Sequence, residues 1–225
     1  MAIIEPTRID VQDPSNIKKY SSPLRLWHWL NLIVISGSLI TVLINSTITD
    51  DNATSSLLKA ELQKSGAAVN DEQTRSAAHA LSDSVWVVHI YFGYALAALL
   101  AFRVILELFQ LADQKFLRKI KSAYDQFNTI KKEREAARHE FTVKMIYAMF
   151  YLLLIVMVST GLFLAFENAM VAYKSIRHSV KEVHGFCMYL ILAFIVVHII
   201  GVLLAERKYG SGIVSDMING GREQN

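Results

Sequence analysis

The chain has 225 residues, 53% hydrophobic and 19% charged, with 3 Pro and a formal net charge of +3. Its apolar residues fall into long runs, which marks a membrane protein rather than a globular one with a large core. The single cysteine, Cys187, excludes an intrachain disulfide framework and any cysteine-based iron–sulfur cluster or zinc site, and the absence of a C-x-x-C-H motif excludes covalently attached c-type haem.

The first 22 residues are polar and contain no apolar core of a signal peptide, so the first span is expected to serve as the targeting signal. About 20 apolar residues cross the hydrocarbon layer as a helix. Four segments meet that length: about Leu24–Ile44, Val85–Phe109, Val143–Phe166 and Val183–Ala205. Tyr20, Trp27 and Trp29 flank the first span, and Trp86 and Tyr91 open the second, as interfacial aromatic residues do. Between them, loop 45–84 carries three basic residues (Lys59, Lys64, Arg75) against six acidic ones and is expected to be partly helical around Ser55–Ser65.

The connection from Gln110 to Glu140 is strongly basic, with Lys115, Arg118, Lys119, Lys121, Lys131, Lys132, Arg134 and Arg138. Phe116, Leu117, Ile120, Ala123, Tyr124, Phe127 and Ile130 recur in it at helical spacing. That pattern predicts an amphipathic helix on the inner leaflet, or equally a solvated connector covering the floor of the bundle. With Lys18, Lys19 and Arg25 before the first span and Arg207, Lys208 and Arg222 after the last, the positive-inside rule places both termini and the central connection in the cytoplasm. The expected fold is therefore all-α: an integral membrane four-helix bundle, one domain over residues 1–225, with an amphipathic cytoplasmic loop helix. No nucleic-acid motif or phosphate-binding glycine loop occurs, and the basic residues suit an anionic leaflet.

Four histidines lie within these spans: His28, His89, His184 and His198. Ionisable side chains inside a membrane are costly and usually mark function. His184 and His198 are fourteen residues apart, hence roughly 21 Å apart along one helix and about 40° apart around it. Depth pairs His28 with His198 near the cytoplasmic side and His89 with His184 near the outer side, an arrangement suited to two bis-histidine haem b sites. Gly185, Gly201, Gly93, Gly37 and Gly161 lie where a cofactor or a neighbouring helix comes close. Arg25 and Arg103 are candidates for haem propionates, although Arg103 is also spaced to pair with Glu107 one turn on. A lone histidine in a bundle is ordinarily a packing or interfacial residue, and His79, His139 and His178 are read that way. Four at matched depths favour haem.

The runs SSPLRLWHWLN, VVHIYFGYALAALLAFRV and VHGFCMYLILAFIVVH, with the tail VSDMINGGRE, resemble the b-type cytochrome subunits of membrane-bound nickel–iron hydrogenases. The resemblance runs from Tyr20 onward and is weakest in the outer loop and third span. Stand-alone di-haem cytochromes b and the membrane subunits of formate dehydrogenases and thiosulfate reductases share the design. It implies a multi-pass protein of the cell (inner) membrane that passes electrons through two b haems. Their source would be the small and large hydrogenase subunits on the outer face, their acceptor the membrane quinone pool. The alternatives are a stand-alone quinone oxidoreductase of the same fold, a subunit of one of those other complexes, or a non-redox membrane anchor or transporter with structural histidines.

Overall fold

The computed structural model describes residues 22–49, 51–109, 134–209 and 212–220. Among these residues all regular structure is helical: α1 (Ser22–Thr47), α2 (Asp51–Lys64), α3 (Asp71–Phe109), α4 (Arg134–Ala165), a 3₁₀ turn (Val171–Ile176), α5 (Arg177–Tyr209) and α6 (Ile213–Asn219). The amphipathic pattern between Phe116 and Ile130 lies outside the described residues.

Helices α1, α3, α4 and α5 contain the four expected spans, and each is long and apolar enough to cross a membrane. Only 0% to 17% of the most apolar window of each span is buried against protein, so lipid is the solvent of most of these side chains. The chain is an all-α, multi-pass membrane protein. Its helices run beyond the hydrocarbon at several ends, because a helix already nucleated inside the membrane extends at little cost into polar sequence of good propensity.

Cα packing divides the chain into two compact units, Met1–Trp29 with Leu99–Asn225, and Leu30–Ala98. In the first unit, Trp27, Leu106, Leu153, Leu154, Cys187 and Ile191 are buried. Phe150 on α4 stacks on Phe194 of α5, with ring centroids 4.3 Å apart and planes 15° apart. Trp27 packs beside Tyr151 at 5.7 Å and donates its indole N–H to the Leu99 carbonyl at 2.8 Å, so an aromatic body is buried with its one polar atom satisfied.

After α5 the chain turns through Gly212 (φ 130°), whose N–H donates to Glu206, and forms the short α6. Gly220, at φ 103°, closes that helix with a bond to the Asp216 carbonyl. The last carbonyls of a helix have no partner within it. Here Arg25 donates to the Ile218 carbonyl at 2.5 Å and Trp29 to the Met217 carbonyl at 3.1 Å. These two donors are one helical turn apart on α1, so the tail is held by a single face of the first span.

The second unit holds α1 from Leu30 onward, all of α2 and α3 through Ala98. Apart from Asn31, its buried side chains are small and mostly hydroxylic: Thr41, Thr49, Thr54, Ser55 and Thr74, with Ala78 fully enclosed. A serine or threonine on a helix can bond a carbonyl three or four residues back and so be buried cheaply. Thr74 does this with Asn70 and Asp71, and Ser55 with Asn52, while Thr54 reaches the Ile48 carbonyl before its helix. The helix expected around Ser55–Ser65 is α2, Asp51–Lys64.

Helix α3 begins fourteen residues before the apolar run, at Asp71 rather than Val85. A reciprocal cap explains the start. The Gln73 N–H donates to Asn70 Oδ1 at 2.8 Å and the Asn70 N–H to Gln73 Oε1 at 3.0 Å, which is a capping box, and Asp71 and Glu72 complement the positive helix terminus. Lys59 of α2 ties to Asp71 at 2.6 Å. Replacing Asn70 by Ala should cost about 1 kcal/mol at this cap, seen as a roughly fivefold loss of hydrogen-exchange protection over Asp71–Arg75. Unchanged protection would show that the packing of α2, not the cap, starts the helix.

Candidate functional site

The first turns of α1 set three polar residues on neighbouring faces. Arg25 and Trp29 point to the tail, and His28, half-buried, lies about 100° around the helix from Trp29. Facing His28 is His198 from α5, with ring centroids 6.3 Å apart and planes at 58°. A metal–imidazole bond is about 2 Å and the ring centre lies about 1.1 Å behind its nitrogen, so two imidazoles on opposite sides of one metal have centres roughly 6 Å apart. The observed separation fits one metal atom held between the rings.

Aromatic side chains enclose this pair. Phe194, one turn before His198, stacks on its ring at 5.8 Å with planes 8° apart, and Tyr147 meets it edge-on at 6.4 Å. Trp29 meets the His28 ring at 88°. His28 Nδ1 and Arg25 Nε are both buried and have no hydrogen-bond partner among the described residues. An unsatisfied buried guanidinium nitrogen beside a histidine suits an anionic acceptor such as a haem propionate.

Arg103 is buried on α3 and sits at the pairing that its spacing offered: its guanidinium is 3.1 Å from Glu107. Its Nε also donates to the Tyr151 hydroxyl at 3.1 Å, and its charge lies 5.6 Å from the centre of that ring. Tyr151 therefore joins Trp27 and Arg103 in one cluster, a role no spacing argument on α4 reveals.

His184 lies in the same unit as His28 and His198, further up α5. Its Nδ1 is 2.9 Å from Thr160 Oγ1 of α4. Gly161 lets the imidazole approach, because a Cβ at that position would stand 3.2 Å from His184 Cε1. His89 belongs to the other unit and has its own setting. Its Nδ1 is 2.9 Å from Thr41 Oγ1 and 3.3 Å from Ser38 Oγ, both on α1, and Trp86 packs edge-on against its ring at 5.3 Å. Next to Ser38, a Cβ at Gly37 would collide with the tip of the Phe92 ring. The remaining candidate glycines, Gly93, Gly185 and Gly201, have no described atom within 4 Å of a Cβ built there.

Thr41 and Thr160 thus join the site, although reading the histidines alone passes over them. The available signal was a hydroxyl residue in the middle of an apolar span, close to the glycines in the runs GSLIT and STG.

A membrane helix protein that holds paired imidazoles between aromatic rings, with a guanidinium at hand, defines a class: the residues suit bis-histidine haem. Residues 19–220 match a family described as prokaryotic cytochrome b561, and the chain belongs to that family. Such proteins carry electrons across a membrane by means of b-type haem, and this chain is accordingly a multi-pass protein of the cell (inner) membrane. Searches among curated proteins and among solved structures returned no match.

The Arg103 cluster yields a prediction. Tyr151→Phe removes the acceptor of a buried charged donor, which should cost about 1.5 to 3 kcal/mol and lower the thermal midpoint of the detergent-solubilised protein. An unaltered midpoint would mean that Glu107 alone satisfies Arg103.

Proposed function

We propose that the chain is the membrane subunit that takes electrons from a hydrogenase docked on the outer face and delivers them to the quinone pool through two b haems. His28 and His198 would ligate one haem and His89 and His184 the other, with Arg25 and Arg103 beside the propionates of the first. The 6.3 Å separation of the His28 and His198 rings is the observation that carries the ligand reading furthest. The second pair rests on the depths of His89 and His184 in their spans, and the hydrogenase partner on the resemblance of the first, second and fourth spans.

Bound haem supplies a one-electron couple. The chain's own residues do the rest. The imidazoles would hold the iron, and the aromatic rings around His198 and His28 exclude water and lower the local dielectric. Guanidinium groups balance carboxylate charge that would otherwise be buried. Electrons moving inward oppose an inside-negative potential by about 2.3 kcal/mol per 100 mV. Proton uptake from the cytoplasm by the reduced quinone would then make the circuit build a proton-motive force.

A redox titration of the visible spectrum, on wild type and on the four His→Ala variants, tests this assignment. Wild type should titrate as two centres. His28→Ala and His198→Ala should lose one of them, and His89→Ala and His184→Ala the other. A single centre, or four variants with unchanged spectra, would reject the ligand assignment. Affinity purification should bring down hydrogenase small and large subunits; recovery of the cytochrome alone, under conditions that keep other membrane complexes intact, would reject the partner.

A further inference from the structure

The threonine hydroxyls beside His89 and His184 have a hydrogen count that bears on the state of each ring. Thr160 Oγ1 donates its one hydrogen to the Val156 carbonyl at 2.7 Å, with the Met157 carbonyl further off at 3.2 Å. Thr41 Oγ1 donates to the Ser38 carbonyl at 2.6 Å. A threonine hydroxyl has a single hydrogen and two lone pairs. With that hydrogen spent on its own helix, the oxygen can only accept from the histidine nitrogen 2.9 Å away, and this holds for both pairs. At His184 the opposite arrangement, in which the hydroxyl turns to donate to Nδ1, forms one hydrogen bond in place of two. At His89, where Ser38 Oγ also lies 3.3 Å from Nδ1, the shorter Thr41 contact at 2.9 Å, whose oxygen has only lone pairs to offer, calls for the proton on Nδ1.

We infer that Thr41 and Thr160 are positioning residues that hold His89 and His184 in the Nδ1–H tautomer, aim each ring, and tune the haem these histidines ligate. The inference rests on the ligand reading above. The proton at Nδ1 leaves the Nε2 lone pair for iron, so ligation displaces no proton. An imidazole that donates its outer N–H is also a more basic ligand, which favours the oxidised iron. His28 differs: its Nδ1 is buried with no hydrogen-bond partner among the described residues. The two threonines come from different helices, α1 and α4, and from different units of the fold, yet each makes the same three-part chain of helix carbonyl, hydroxyl and imidazole.

The test uses the full-length, haem-loaded protein and compares Thr41→Val, Thr160→Val and the corresponding Thr→Ser variants by redox titration. Valine keeps the shape and removes the acceptor; serine keeps the acceptor. Each valine variant is expected to retain haem and to raise the midpoint of one and the same centre. A roughly tenfold change in the preference for oxidised over reduced iron equals about 59 mV for one electron. Serine should restore the wild-type value. If valine loses haem while serine holds it at the wild-type potential, the inference also stands. Wild-type potentials in both valine variants would overturn it. So would loss of haem from valine and serine variants alike, which would mark the threonines as packing residues. Full haem retention in His89→Ala and His184→Ala would instead sink the ligand reading, and this inference with it.

Discussion

An imidazole carried into hydrocarbon must find a use for both of its ring nitrogens, since neither can turn to water. Much of the polar architecture inside these spans answers that demand. His89 and His184 settle one nitrogen on a threonine that is itself settled on a helix carbonyl. His28 and His198 face one another across a distance that suits a shared metal. The same rule governs the other polar groups of the first unit. The Trp27 indole reaches a carbonyl on α3, and the buried Arg103 is shared between a carboxylate and a phenol. These groups are linked in chains of partners that cross from helix to helix, whereas His28 Nδ1 and Arg25 Nε are buried with no hydrogen-bond partner among the described residues.

The sequence disclosed what is summed over long stretches of chain. Four spans were visible because hydropathy and length are summed over some 20 residues and no tertiary contact is needed to see them. That His28 and His198 share a level followed from depth, a one-dimensional quantity; that their rings face one another is seen only in the structure. What stayed hidden depends on rotation about a helix axis and on the neighbour met there. Thr160 looked like any hydroxyl in a membrane helix, content with its own carbonyl; that it also accepts from His184 follows only when α4 and α5 are seen side by side. Tyr151 escaped notice for the same reason. The early start of α3 was missed because a run rich in Ser, Ala and Asp reads as loop until the Asn70–Gln73 cap is recognised.

Glycines in the sequence were ambiguous between cofactor approach and helix contact, and the structure separates two of them. Gly37 makes room for the Phe92 ring, a side-chain contact between α1 and α3, whereas Gly161 makes room for an imidazole. The distinction matters energetically. A methyl group at Gly37 collides with the rigid, half-buried Phe92 ring, while at Gly161 it presses on the imidazole of His184. The tail is another contact invisible in one dimension. Its seven-residue helix is too short to persist alone, and the two donors from α1 supply what its last turn lacks.

Helix α3 runs unbroken for 39 residues, roughly 58 Å at 1.5 Å per residue, and only its second part is apolar. The polar part, from Asp71 to Ser84, is a stiff shaft continuous with the turn that bears His89. A rod of this kind conveys torsion as well as position. Because the helix is unbroken from Asp71 through His89, the direction of the shaft and the aim of the His89 ring against its threonine are set together. The span is thus geared to its own aqueous end.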